Sequence, residues 1–483
     1  MRRKGSAMPA QRERLETESS SRAATATWGW GFLFACLLLF AVVTVPVIVE
    51  GAPLLDDFGR CVAPQRAGYW QDRWEAQGLF RPATNIEIVV TNGLCRTVPF
   101  GLIILIPWLL TIGVAFLTRT FLGDIGVPSP WSEIGAGLWL LAPLGTETAL
   151  WPATLHVALG LSLALMALRV FHRGGILPGA ILSLGSYLSV EQAILALPLA
   201  AFMVSPRGKR IRALTFSTVL SLLVLLVYSQ KGGSTFGSAV SLSQRIENVF
   251  RDSEEYVIMP AIGLGAQSIP AAIRWAFPVS VVVLALGVII GWMVGPKLLR
   301  SSWSNQQRLG MKHAIGALAL LVLINVPVAL AFPHPHSPRL FTPTWLALAI
   351  FAGIGGSQMH WKRPRLAGAA AGTLIAGALL SMALSSWVRI ETSRLIEESM
   401  KRIAAKTPDG GVVAICGRTR TLVQPAPHGA FAVHEFMGHP EEAYEYYTGK
   451  NAEIRVGGYA ARSRCPEAEG VDVIFDFQDL VGR

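Results

Sequence analysis

The sequence predicts an all-α polytopic membrane bundle of about eleven transmembrane helices, carrying a small C-terminal α/β extracytoplasmic domain. Three observations lead there. Hydrophobic residues make up 52% of the 483 and charged residues only 15%, whereas soluble domains carry about a quarter charged. Apolar runs of about 20 residues recur along the chain, the length a helix needs to cross a hydrocarbon core. The formal net charge of +11 gathers in alternate loops, as basic residues do on the cytoplasmic side of a membrane protein. No basic stripe with interleaved aromatics accompanies it, so nucleic acid is excluded as a partner.

Residues 1–26 are polar, unpatterned and rich in arginine, and read as a disordered cytoplasmic tail. Residues 27–49 form the first span. Its apolar run is longer than a secretory h-region and no small-residue cleavage site follows, so it reads as an uncleaved anchor. Residues 51–97 are then an outer loop of mixed charge, and 98–118 return inward. Two paired segments follow, 134–145 with 152–171 and 176–188 with 190–204, before 213–229 leads out to a second long outer loop at 230–275. Segments 276–295, 313–332, 340–356 and 367–388 complete a transmembrane domain over 27–388. The tail, 389–483, has a soluble composition. It opens as a helix with Ile390, Leu395, Ile396, Met400 and Ile403 on its apolar side, and strand-like runs follow at 412–416 and 471–475.

Cysteine placement gives the same topology. Cys36 lies within the first span, Cys61 and Cys95 share the first outer loop, and Cys416 and Cys465 share the tail. All four loop cysteines fall on the oxidising side, where disulfides persist. Cys61–Cys95 and Cys416–Cys465 are the simplest pairs. No CxxC spacing points to zinc or redox chemistry.

The chemistry-bearing residues collect at outer turns. Asp56 and Asp57 follow the first span, and a carboxylate there is able to deprotonate an acceptor hydroxyl, its pKa raised by burial beside a second acid. Arg60 would neutralise that pair or hold a phosphate. Glu147 sits in the next outer turn, and His156 lies inside the following span, where an ionisable group is expensive and a functional suspect. Glu191 and Gln192 occupy a third turn. Arg339 follows His334 and His336 in a short loop, where its planar fork suits a phosphate. His434 and His439 flank Glu435, but they stand five apart rather than the four a zinc-binding helix requires, and no metal site is predicted. Neither a phosphate-cradling glycine loop nor a nucleophile elbow is present. Glycine pairs such as Gly355-Gly356 fit close helix packing.

In order and topology these features resemble the GT-C superfamily of polyprenyl-phosphate-dependent membrane glycosyltransferases. The likeness rests on Asp56-Asp57 after the first span, the Arg60…Trp70…Arg81-Pro82 pattern behind it, and Trp151-Pro152…His156 opening a paired helix. Ser189-Val190-Glu191-Gln192 is similar to the S-K-E-Q turn of some members, with valine at the lysine position. Pro338-Arg339-Leu340-Phe341-Thr342-Pro343 resembles a late arginine–aromatic–proline turn. The resemblance covers residues 27 to 388.

It implies a sugar donor on polyprenyl phosphate entering from the bilayer, an inverting transfer, and an acidic first-loop residue as base. Asp56 would be that base with Asp57 beside it, and nothing local separates the two. Arg339 would meet the donor phosphate, while Arg60, Glu147, His156, Glu191 and Gln192 would line the substrate pocket. Many members with monophosphate donors need no metal, and none is expected here as a cofactor. The expected partners are membrane lipids, the lipid-linked donor, and a glycan, lipid or protein acceptor. The expected place is the bacterial inner membrane, N-terminus in the cytoplasm and C-terminal domain in the periplasm. A ligase-like enzyme is disfavoured because loop 230–275 has Arg245, Arg251 and Arg274 but no histidine. A transporter or flippase would need more charged groups deep in the helices than His156. A non-catalytic envelope-assembly protein is the remaining alternative.

Overall fold

The structure is a computed structural model, and it describes residues 8–51, 53, 56–71, 82–141, 145–190, 192–229, 241, 243–244, 247, 281–296, 342–358, 363–416, 440–456 and 470–476. Helix α1 runs over Met8–Glu50. The polar stretch expected to be a disordered tail is therefore helical from Met8. Its alanine, glutamate, glutamine and arginine residues are good helix formers, and Pro9 stands in the first turn, where the ring is tolerated. Next come α2 (Asp56–Val62), α3 (Pro82–Cys95), α4 (Phe100–Asp124), α5 (Trp131–Leu140), α6 (Gly145–Leu150), α7 (Leu155–His172), α8 (Ile176–Tyr187), α9 (Ala193–Val204) and α10 (Arg210–Ser229). They are followed by α11 (Val281–Pro296), α12 (Thr342–Gln358) and α13 (Pro364–Lys406).

Among the described residues, four stretches are long and apolar enough to cross a membrane: Thr27–Glu50, Phe100–Asp124, Pro152–His172 and Arg207–Val227. The expected count of about eleven crossings is not reached among the described residues, and the segment at 313–332 lies outside them. The paired segments 176–188 and 190–204 end within a residue of where the sequence places them. Gly174, at φ +82, closes the turn after α7, and Pro206 follows α9. Helices α8 and α9 have 12 residues each, about 18 Å at the α-helical rise against a hydrocarbon core of about 30 Å.

The surface of the long helices has the character of a lipid-facing one. Phe34, Val42 and Leu222 are exposed, at 66%, 65% and 59%, a density of bare apolar side chains that water does not tolerate over a wide patch. Many hydroxyls within the bundle are satisfied by their own helix. The hydroxyls of Thr111, Thr118, Ser162 and Ser183 each donate to the carbonyl four residues earlier, as buried polar groups must. Thr44 receives the Trp108 indole N–H at 2.8 Å and donates to the Phe40 carbonyl, while Phe40 stacks on Trp108. The Trp139 indole donates to the Thr111 carbonyl, which binds α5 to α4.

Small residues set the closest helix crossings. Gly135 of α5 faces Gly353 of α12 so closely that a Cβ at position 135 would stand 3.7 Å from the opposing Cα, and Gly356 lies under the Trp131 ring. Gly287 and Gly291 of α11 face Gly372 and Gly368 of α13, where a Cβ on any of the four would run into the opposite backbone carbonyl. This is the small-xxx-small geometry by which membrane helices approach without a hydrophobic driving force between them.

Helix α13 has 43 residues and passes without a break from apolar sequence into the charged tail. Its last turns carry Ile396, Met400 and Ile403 onto a three-stranded parallel sheet of β1 (Gly411–Cys416), β2 (Ala452–Val456) and β3 (Val473–Asp476), ordered β2-β1-β3. Val413 pairs with Ile454 on one side and with Val473 on the other. Helix α14 (Pro440–Thr448) covers the sheet with Ala443 and Tyr444. Two strands fall where the sequence predicts them. The third, β2, is missed because Glu453 and Arg455 hide its apolar face. Cys416 is buried at the end of β1, and its expected partner Cys465 lies outside the described residues.

Replacing Gly291 or Gly368 by leucine is expected to part α11 from α13 and to destabilise the bundle by about 1–3 kcal/mol, the usual penalty for overpacking. Thermal unfolding in detergent measures it, and the same change at Gly113, which has nothing within 4 Å of a built Cβ, is the control.

Candidate functional site

Helix α1 stops at Gly51, whose φ of +61 lets its N–H fold back to the Val47 carbonyl at 3.1 Å in the manner of a glycine C-cap. Helix α2 then begins with Asp56 and Asp57, acids that suit a helix N-terminus. Its seven residues are too few to hold a helix unaided, so what fastens them fixes the site. The Cys61–Cys95 disulfide joins α2 to α3, with the Cα atoms 5.6 Å apart, as the sequence predicts. Asn92 and Gln65 both donate to the Cys61 carbonyl, at 2.9 and 2.8 Å.

Beside the disulfide lies a buried ionic cluster. Arg60 of α2 pairs through Nη1 with Oε1 of Glu87 of α3, and its Nη2 donates to the Ala153 carbonyl at 3.1 Å. The second Glu87 oxygen, Oε2, lies 2.6 Å from Nδ1 of His156 and accepts the His156 backbone N–H at 3.3 Å. Glu87 is 2% exposed. One carboxylate thus ties α2, α3 and the first turn of α7 together.

A second cluster joins α2 to the tail. The Asp57 carboxylate, 0% exposed, meets Arg389 of α13 with Oδ2 to Nη2 at 3.4 Å. Phe58 enters the core of the C-terminal unit with its ring 5.5 Å from those of Tyr446 and Tyr447. Burial first, and the Asp57 charge after it, push the Tyr446 phenol up. The Tyr447 phenol is pushed up as well, again by burial first, against a hydrogen bond from Ser393. Arg66, just beyond α2, pairs with Glu442 at 3.0 Å and Glu445 at 3.2 Å.

Of the residues singled out in the sequence, Arg60 and His156 meet on Glu87, and Asp57 enters the second cluster from the same short helix. Asp56 opens α2 and Glu147 lies in α6, while their side chains are outside the described set. The Glu147 turn is fixed to the start of α12 by a 3.0 Å hydrogen bond between Thr148 and Thr342. Gln192 is buried at the head of α9. The turn before it packs Ser189 and Val190 on Gly160, one helical turn along α7 from His156. Glu191, Arg339, His334, His336, His434 and His439 lie outside the described residues. Among the described residues no group of three or more His, Cys, Asp and Glu is arranged to hold a metal ion.

Sequence reasoning missed Glu87, Arg389, Tyr446 and Tyr447. Glu87 carried a readable signal, a single acid in the apolar run Ile86-Glu87-Ile88-Val89-Val90. Arg389 had one too, as the lone cation closing an apolar segment. The tyrosines had none, because their role comes from the docking of α14 on α2.

Glu87→Gln leaves Arg60 buried without its counter-charge, and an expected loss of about 3–5 kcal/mol follows. Chemical denaturation would read it, and the double change Arg60→Met/Glu87→Met should recover a large part. The phenols give a pH test. Unfolded tyrosines lose their protons near pH 10 and the folded Tyr446 and Tyr447 only above it, so their contribution is complete below pH 10 and is lost as pH rises further. Melting temperature should therefore fall less steeply above about pH 10 in Tyr446→Phe/Tyr447→Phe than in the parent.

No protein-family model, no curated protein and no solved structure matches this chain.

Proposed function

We propose that the protein is a membrane glycosyltransferase of the GT-C type, with about eleven crossings, that moves a sugar from polyprenyl phosphate to a glycan, lipid or protein acceptor. In this reading the reaction takes place at the outer face of a bacterial inner membrane, with the N-terminus in the cytoplasm and the C-terminal unit in the periplasm. The observation that supports it most is the pair of buried ionic clusters directly after the first candidate span, in which Asp57 and Arg60, Glu87, His156 and Arg389 come from four separated stretches of chain. Burying such groups at a helix end is costly, and a chain that does so commonly uses them.

The base is assigned to Asp56. A base must reach the acceptor hydroxyl, and Asp57 is enclosed and paired with Arg389. In the transfer, Asp56 takes the hydroxyl proton as the acceptor oxygen bonds to the anomeric carbon. The bond from that carbon to phosphate oxygen breaks, and its electron pair leaves on the polyprenyl phosphate. Arg339 stands just before Thr342 in the chain and is the candidate for the phosphate. Arg60, Glu147, His156, Glu191 and Gln192 serve the pocket. No cofactor is required by this chemistry.

A non-catalytic envelope-assembly role has one observation in its favour, the tie of Asp57 to Arg389, which a scaffold would need as much as an enzyme. The test is transfer by purified protein in lipid, with a polyprenyl-phosphate sugar and extracted envelope acceptors. Asp56→Asn should lower kcat by about 10²–10⁴ without altering the melting temperature. Full transfer by that variant would remove the base assignment. Solute uptake into vesicles in the absence of any transfer would favour a transporter.

A further inference from the structure

The ties that hold α2 divide along its length. Those to the bundle fall on its second half, at Arg60 and Cys61. Those at Asp57 and Phe58 lead instead to α13 and α14: the Asp57–Arg389 ion pair and the packing of Phe58 against Tyr446 and Tyr447. Arg66 adds a third link from the same loop to Glu442 and Glu445 of α14. Helix α2 has seven residues, and an isolated turn of that size frays because nucleation costs more than its few hydrogen bonds return.

We infer that the C-terminal α/β unit positions the first turn of α2: Arg389, Tyr446 and Tyr447, acting through Asp57 and Phe58, set where Asp56 stands. In the terms of the transferase reading, on which this inference rests, the tail is part of the catalytic apparatus although none of its residues reacts. Arg389 suits the role because its guanidinium is always charged and its Nη2 stands 3.4 Å from Oδ2 of Asp57. It is 7% exposed and Asp57 is 0% exposed, so solvent does little to loosen the pair. A second pair made by α13 gives a contrast. Arg394 of α13 meets Glu50 of α1 at 2.7 Å with both side chains largely exposed, and an exposed pair of that kind constrains little.

The first readout needs no substrate. In full-length protein reconstituted in lipid, Asp56→Cys is labelled with a membrane-impermeant maleimide. Cys36 is buried and Cys61 and Cys95 are joined, and the chain without the new thiol serves as the blank. Adding Arg389→Gln should raise the labelling rate on the order of tenfold, as the first turn of α2 opens locally. Arg394→Ala should leave it unchanged. The second readout is transfer from a polyprenyl-phosphate sugar. Arg389→Gln should lower kcat on the order of 100-fold, the cost of misplacing a reacting group by about 1 Å, with the donor KM unchanged. Arg389→Lys, which keeps the charge and loses the fork, should fall between, and Arg394→Ala should match the parent.

If Arg389→Gln does not fold, Asp57→Asn/Arg389→Gln replaces it in both readouts, since it leaves no bare buried charge. Parental labelling and parental kcat in a folded variant overturn the inference. So does a change confined to the donor KM, which would mean that Arg389 meets the donor. Faster labelling in a protein whose parent transfers no sugar supports the positioning of α2 by the tail and overturns the transferase reading instead.

Discussion

The Glu87 carboxylate is the point on which one end of the bundle is assembled. Burying an ionised carboxylate costs several kcal/mol even after relaxation, while one neutral hydrogen bond returns about 1 kcal/mol net. Glu87 can be buried only if both of its oxygens are served at once, and they are, by Arg60 from α2 and by the ring and backbone of His156 from α7. The disulfide one residue beyond Arg60 fixes the same register covalently. Such a cluster adds little to stability compared with an apolar equivalent. Its effect is on specificity, because any other placement of α2 over α3 and α7 leaves a charge uncompensated.

The remaining architecture answers to the absence of water along the helix flanks. Hydroxyls turn back to their own helix and indoles reach for neighbouring carbonyls, because an unsatisfied polar group in hydrocarbon has no solvent to return to. Apolar side chains cannot distinguish a neighbouring helix from lipid, so adhesion passes to surfaces that allow backbones to touch. The facing glycines of α11 and α13 and those of α5 and α12 supply such surfaces. Helix α13 then carries this order outward. It is packed by glycines at one end and by Ile396, Met400 and Ile403 at the other, and so it joins the bundle to the sheet as one continuous helix.

What was legible in the sequence follows from the range of the interactions. Hydropathy marked the long helices, because a run of apolar residues is a local property. The Cys61–Cys95 pair was legible because both cysteines share one loop. The α/β character of the tail was visible in two strands but not in β2, whose alternation is masked by Glu453 and Arg455. Glycine and proline bound α8 and α9 close to where the sequence places them, but helices of 12 residues are too short by themselves to count as crossings. The ionic site was half legible. Asp57, Arg60 and His156 stood out as charges in unusual places, but their partners Glu87 and Arg389 are chosen by tertiary packing, which periodicity does not encode. The adjacent acids Asp56 and Asp57 were indistinguishable as sequence. The burial of Asp57 against a residue 332 positions away is what gives it a separate role.

That separation in sequence has a consequence for assembly. The contacts at Arg60, Cys61, Glu87 and His156 all lie within the first third of the chain, and they can form while synthesis continues, since domains and their local parts fold in N-terminal order. Asp57 and Phe58 must wait for Arg389 and for α14. Until the last helix is in place, a carboxylate destined for complete burial stays in water, and the aromatic beside it has no core to enter. The first turn of α2 is therefore completed last although its sequence emerges early. The bundle by itself supplies a helix held at one end, and the tail supplies the other.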